Sequence, residues 1–170
     1  GVQSTDPNPK DTGTLECKDA VLAWDDRVDV PAKARPDPTT RILSPVTGAL
    51  VPDPTAVLRY FEHRHARPAT WPEADFIVGN PPYLGQARQR DAFGDGYVEA
   101  LRAAYPDVPD TADYVMYWWY RAAQAVASGR TMRAGLITTN SITQGQNRRV
   151  IADAEHHGVG VLWTAPDHPW

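Results

Sequence analysis

Eight of the chain's sixteen prolines fall between Pro31 and Pro72, a density that restricts the fold more than any other feature. Each proline removes a backbone donor, fixes its own φ and pushes its predecessor into an extended conformation. No long helix and no central strand can persist through such a stretch. Residues 31–72 are therefore expected to form an irregular excursion, with one short helix over PTAVLRYFEHRH, residues 54–65. Ahead of it, residues 1–14 are polar and rich in Pro, Asp and Thr, which predicts a disordered or irregular lead-in. TLECKDAVLAW then reads as a short strand ending near Cys17, followed by an acidic turn at Asp19.

Beyond Pro72 the pattern becomes regular. DFIVG is a continuous apolar run of the kind expected for a strand covered on both faces. YVEALRAAY and ADYVMYWWYRAAQAVAS carry apolar residues at helical spacing, and Gly129 stands where a helix terminator belongs. AGLITT reads as a second buried strand, GQNRRVIADAEHH as a helix closed by Gly158, and GVGVLWT as a third strand. Strand, helix, strand, helix, strand predicts an α/β fold with a mostly parallel sheet.

With 170 residues, 42% hydrophobic content and six tryptophans, the chain has material for one core. It has no apolar run of the ~18 residues that a membrane span needs, and no basic start followed by a short apolar stretch. A soluble, cytoplasmic protein with no membrane partner is the expectation. Cys17 is the only cysteine, which excludes an intrachain disulfide and a cysteine-based metal cluster. The net charge of −4 argues against a generic basic nucleic-acid binder, since sequence-independent affinity comes from Lys and Arg neutralising phosphates. The groups Arg59, Arg64 and Arg67, Arg88 and Arg90, and Arg148 and Arg149 read as ordinary solvated faces.

In EHRH, His63 and His65 would point to different sides of a helix, so a solvated helix end is favoured over a metal site. His156 and His157 close a helix where cationic side chains favour the dipole. Tyr114, Tyr117, Trp118, Trp119 and Tyr120 cover too much of a helix circumference for one core face; most of the cluster reads as packing, with room for one member to line a ligand pocket.

The chemistry concentrates in ADFIVGNPPYLG, residues 74–85. In open α/β sheets ligands sit beyond the carboxyl ends of strands, which is where Asn80-Pro81-Pro82-Tyr83 falls. The two prolines make a stiff segment whose carbonyls lack neighbouring donors. The Asn80 side-chain oxygen and the Pro81 carbonyl together can accept two hydrogen bonds from one planar NH₂ group, as an exocyclic amine or a carboxamide presents. Tyr83 offers an aromatic face on which a base would gain roughly 1–3 kcal/mol by stacking. Asn-Pro can also be plain turn punctuation, but chance produces this tetrapeptide in roughly one such chain in a thousand.

Asn-Pro-Pro-Tyr after a buried strand resembles the catalytic motif of S-adenosylmethionine-dependent amino methyltransferases, above all the DNA adenine-N6 enzymes. FIVGNPPYLG, ADYVMYWWYRAAQAV, RAGLITTNSITQGQNRRVI and TAPDHPW are similar, in order and spacing, to the MmeI-like branch of large DNA methyltransferases. The resemblance implies a partial Rossmann-like class I methyltransferase fold over residues 15–170. It implies S-adenosylmethionine as cofactor and a base flipped out of double-stranded DNA as substrate. Asn80 and Pro81 would hold the N6 amine, Pro82 would stiffen the segment and Tyr83 would stack on the adenine. Asp19, in ECKDAVL, would accept a hydrogen bond from the cofactor's adenine amine, and Thr139 and Asn140, in TTNSI, would wall the target pocket.

The family's glycine-rich cofactor loop has no counterpart here. Gly94-Asp95-Gly96 follows no strand and Gly158-Val159-Gly160 precedes one. The expectation is a catalytic half whose cofactor loop lies upstream and whose target-recognition domain lies downstream in a longer parent, serving restriction-modification or phage defence. Two other readings remain open: a protein glutamine-N5 methyltransferase, whose carboxamide presents the same NH₂, and a catalytically inactive binding module of this fold.

Overall fold

In the computed structural model, residues 17–165 are described. Residues 22–68 fold back on themselves as a nested antiparallel ribbon. Strand β1 (Leu22–Ala23) pairs with β8 (Arg67–Pro68), β2 (Asp26–Asp29) with β7 (Phe61–Arg64), β3 (Arg35–Pro36) with β6 (Val57–Leu58), and β4 (Arg41–Leu43) with β5 (Leu50–Pro52). Prolines break the ladder into these short pieces, because each removes a donor the ladder would use. Between the Asp29↔Phe61 and Arg35↔Leu58 pairs the outgoing arm advances six residues against three on the return. The 3-10 turn Pro31–Lys33 takes up the excess. In the loop after β3, the side chains and backbone of Thr39 and Thr40 donate to Asp37 and hold its carboxyl down at about 2.

The helix expected over residues 54–65 is absent; that segment makes β6 and β7. Val57, Leu58 and Phe61 have a spacing that a helix can use, but partner strands β3 and β2 decide otherwise. Along β7, Phe61 and His63 are half-buried while Glu62 and Arg64 are exposed, which is the period of a strand. His63 is consequently no solvated helix end. It packs edge-on to Trp24 and Tyr97, with ring centroids 4.8 and 5.6 Å away, and burial lowers its pKa. His65 sits at the turn into β8 with φ 52° and pairs with Asp25 at 3.0 Å.

Three of the four helices among the described residues follow the sequence pattern, and the first, over residues 86–93, has no apolar period to announce it. The four are α1 (Gln86–Phe93), α2 (Asp95–Ala104), α3 (Val115–Ala127) and α4 (Gly145–His156). The core gathers Tyr97 and Leu101 from α2, Val115, Met116 and Tyr117 from α3 and Val150 from α4 around Val21 and Leu22. Gly129 and Gly158, at φ 72° and 83°, follow α3 and α4 in the left-handed conformation that ends helices. The ring nitrogens of His156 and His157 reach the carbonyls of Ala152 and Asp153, so both close α4 as expected.

The sheet departs from expectation. Among the described residues the single parallel pair is β9 (Phe76–Gly79) with β10 (Arg133–Leu136), and all other pairs are antiparallel. No extended Rossmann-like parallel sheet is present, so the α/β reading with a mostly parallel sheet is corrected to an antiparallel ribbon, a helical layer and one two-stranded parallel unit. Residues 158–164, expected as a third strand, form none, and Leu162 and Trp163 are exposed. Strand β9 is not covered on both faces: Phe76 is 59% and Val78 86% exposed. A continuous apolar run suggests double coverage, yet α3 packs on β10 and the outward residues of β9 stay largely in solvent. Residues 17–20 carry no strand; residues 1–16, including the expected lead-in, and residues 166–170 lie outside the described residues.

Gly94-Asp95-Gly96 has a purely structural explanation. Gly94, at φ 83°, joins α1 to α2. Gly96 lets α2 press on β7, since a Cβ built there would lie 1.9 Å from the Phe61 carbonyl oxygen. Backbone cannot yield as a side chain would, so Gly96→Ala is expected to destabilise the fold by at least about 1–3 kcal/mol. Gly135→Ala, where a Cβ meets nothing within 4 Å, serves as the control in urea unfolding. Equal stability of the two variants would contradict the close approach.

Candidate active site

The parallel pair sends two loops out from one end. Register Gly79↔Leu136, extended by the Ile137 amide on the Gly79 carbonyl at 2.9 Å, puts Asn80 and the turn after Ile137 at the carboxyl ends of β9 and β10. The next backbone tether is the Tyr114 amide on the Leu84 carbonyl at 2.9 Å. Between these anchors, no backbone hydrogen bond among the described residues engages Asn80 through Tyr83. Pro81 is fully buried, whereas Asn80, Pro82 and Tyr83 are exposed. The buried ring anchors the segment, leaving the Asn80 amide and the Tyr83 face accessible. The Tyr83 hydroxyl donates to Asn80 Oδ1, a contact absent from the sequence reading.

Thr139 and Asn140 begin the second loop, where Asn140–Thr143 makes a 3-10 turn. Both are exposed, and Thr139 Oγ1 lies 2.7 Å from Ser141 Oγ. Among the described residues no hydrogen bond joins Asn80 or Tyr83 directly to Thr139 or Asn140. The connection runs through Asp113, just ahead of α3. Its Oδ1 accepts from the Gln86 amide at 3.2 Å, and its Oδ2 from Ser141 Oγ and Asn147 Nδ2, both at 2.8 Å. Sequence reasoning passed over Asp113, Ser141 and Asn147; an acidic residue directly before a helical run was the available signal.

Two cavities lie elsewhere. One of about 740 Å³ is bordered by Arg35, Tyr60, Arg90 and Asp95, the other of about 630 Å³ by Tyr120, Val150 and His157. Neither is lined by Asn80–Tyr83, where Asn80, Pro82 and Tyr83 are exposed.

Residues 10–161 match the family model described as MmeI, DNA-methyltransferase domain. The chain belongs to this family. It is also 29% identical over 86 residues to DNA methyltransferase A of Bacillus subtilis (strain 168), an alignment spanning 49% of this chain and 9% of that protein. No solved structure matches the chain. No helix among the described residues of this methyltransferase domain is long and apolar enough to cross a membrane.

Asp19 is heavily engaged inside the domain. Its Oδ1 accepts from the Val21 and Leu22 amides at 2.8 and 2.9 Å, and its Oδ2 from the Tyr97 hydroxyl at 2.7 Å. Since Tyr97 spends its one proton there, Tyr114, 2.9 Å away, must donate to Tyr97. Burial pushes both phenols up, Tyr114 to about 12, so the chain of protons persists well above neutral pH. One lone pair of Asp19 Oδ2 is left over. In the aromatic cluster of α3, Tyr114 and Tyr117 are core residues and Trp118, Trp119 and Tyr120 pack half-buried against it. Removing the Tyr97 hydroxyl strands a carboxylate oxygen and a buried phenol. Tyr97→Phe is therefore expected to cost about 1–3 kcal/mol in urea unfolding, against at most about 1 kcal/mol for Tyr83→Phe on the surface. The reverse order would remove Asp19 from this role.

Proposed function

We propose that this domain methylates the N6 amine of an adenine flipped out of double-stranded DNA, with S-adenosylmethionine as methyl donor. The observation that carries the reading is the end of β9. Asn80 Oδ1 and a Pro81 carbonyl without a backbone partner sit on a segment anchored by a buried proline, beside an exposed Tyr83 ring. Membership of a DNA-methyltransferase family supports a base over a glutamine carboxamide as the source of the NH₂ group.

When bound, the sulfonium donor supplies an electrophilic methyl group. The protein's task is to make a poor nucleophile competent, because the N6 lone pair is delocalised into the ring. Two fixed acceptors on the N–H bonds favour the form with the lone pair localised and stabilise positive charge growing on nitrogen, without reorganisation during reaction. Fixing the amine in line with the methyl adds the proximity term. The amine's spare proton then passes to solvent. Base entry exchanges the Tyr83 hydroxyl on Asn80 Oδ1 for the N6 amine, and the freed ring stacks on the adenine. Thr139 and Asn140 would border the flipped base, and Asp19 Oδ2, which already accepts from Tyr97, would also accept from the cofactor's adenine amine. Among the described residues no glycine-rich loop joins a strand to a helix, and we assign that loop and target recognition to other parts of a longer protein.

In the full-length protein, Asn80→Ala should lower methyl transfer by about 10²–10³ while leaving cofactor affinity nearly intact, because the lost acceptor acts mainly in the transition state. Tyr83→Ala should weaken base capture and Tyr83→Phe should keep much of the activity, since stacking survives loss of the hydroxyl. Methylated DNA digested to nucleosides should contain N6-methyladenine. N4-methylcytosine in its place would refute the assignment, and no methylated base on DNA or protein would favour an inactive binding module.

A further inference from the structure

Asp113 gathers contacts from three directions. The Gln86 amide, which opens α1 just beyond the Asn80–Tyr83 segment, donates to Oδ1. Ser141, in the turn after β10, and Asn147, on α4, donate to Oδ2. The Asp113 amide returns a bond to Asn147 Oδ1 at 2.9 Å, and Asn147 Nδ2 also reaches the Ser141 carbonyl at 3.1 Å. Asn147 is 7% exposed, so this side of the network is shielded from water. The neighbouring Tyr114 amide holds the Leu84 carbonyl. Capping of α1 explains the Gln86 contact alone. It does not explain why the same carboxylate reaches across to Ser141 and Asn147.

The network also has a direction. A carboxylate only accepts, so Ser141 gives its proton to Asp113 and must accept from Thr139. The Thr139 proton is thereby committed inward, and its free lone pairs are left for whatever faces the turn.

We infer that Asp113 is a positioning residue for methyl transfer: it locks the Asn80–Tyr83 loop to the 139–143 turn and, through Ser141, fixes the orientation of Thr139 beside the target base. The inference rests on the adenine reading for its substrate but not for its geometry. Asparagine at 113 keeps the volume and one acceptor but puts an NH₂ where a donor already points, so either the Gln86 tether or the Ser141 proton direction is lost. Ser141→Ala removes the Asp113–Ser141–Thr139 branch and leaves the Gln86 and Asn147 bonds on Asp113 in place.

The test uses the full-length protein with tritiated S-adenosylmethionine and duplex DNA under single-turnover conditions, alongside binding of each ligand, thermal unfolding and backbone hydrogen exchange. Asp113→Asn is expected to slow the transfer step about 10- to 100-fold and Ser141→Ala about 3- to 10-fold, with cofactor and DNA affinities within threefold of wild type and unfolding midpoints little changed. In Asp113→Asn and Asp113→Ala, amides of residues 84–88 and 140–144 should exchange about tenfold faster while those of α2 stay protected. Wild-type transfer rates in both Asp113→Asn and Ser141→Ala would overturn the inference, as would unchanged protection of both loops. If Asp113→Ala fails to fold, Asp113→Asn decides. If the wild-type protein methylates no adenine, the substrate reading falls, and the exchange data alone then decide whether Asp113 locks the two loops.

Discussion

The two halves of the domain close on the Asp19 carboxylate. A carboxylate leaves water at a price only donors can offset, and Asp19 has three, two from the turn it begins and one from Tyr97 on α2. That turn delivers Val21 and Leu22 into the core at 0 and 1% exposure, where the Tyr105 hydroxyl meets the Val21 carbonyl at 2.5 Å. Strand β1 starts at Leu22 and pairs with β8, so the turn that orders the core also sets the root of the ribbon. Trp71 adds a fourth tie through its indole N–H on the Ala20 carbonyl. Since Tyr114 donates to Tyr97, the same proton chain fastens the head of α3.

From that joint the structure diverges in rigidity. The ribbon is pressed onto α2 at Gly96 and filled at its root by the ring cluster of Trp24, His63 and Tyr97. Its tip carries Leu43, Val46 and Leu50 into solvent. The candidate site has no comparable sheet behind it. Two parallel strands with exposed outer residues make a weak platform, because two strands rarely suffice to hold an independent sheet. The loops beyond β9 and β10 therefore take their placement from side-chain and backbone ties to the head of α3: Asp113 to Gln86, Ser141 and Asn147, and the Tyr114 amide to Leu84.

Helices α2, α3 and α4 are legible because a 3.6-residue period repeats within one segment, whereas α1, which buries only Gln89, carries no such period. Tyr97, Val98 and Leu101 declare the buried face of α2 with no knowledge of its partner. Strands lack that self-sufficiency. Residues 57–64 suit a helix or a strand until Arg35–Pro36 and Asp26–Asp29 arrive to pair with 57–58 and 61–64. Phe76 and Val78 look buried on composition alone and are exposed because coverage belongs to neighbours, not to the strand. The proline density was rightly taken to forbid long elements, but an interrupted ladder satisfies that prohibition as well as irregular chain does. The Gly94-Asp95-Gly96 stretch was set aside correctly, although its purpose, a close approach to Phe61, depends on a contact across 35 residues.

The Asn-Pro-Pro-Tyr segment belongs to the legible class for a physical reason. Its proposed work needs a fixed φ at two successive residues, an amide oxygen, a carbonyl without a donor and an aromatic ring, all specified inside four positions. Asp19 and Asp113 are the opposite case. In sequence each is an aspartate near the start of an element, and nothing local tells a ligand acceptor from a carboxylate that satisfies backbone amides. Only the tertiary partners separate them: Tyr97, 78 residues away, for Asp19, and Asn147, 34 residues away, for Asp113. A site whose proposed reacting groups are local and whose supports are distant is legible by halves: four adjacent positions specify the proposed chemistry, while contacts across 34 and 78 residues specify what holds it.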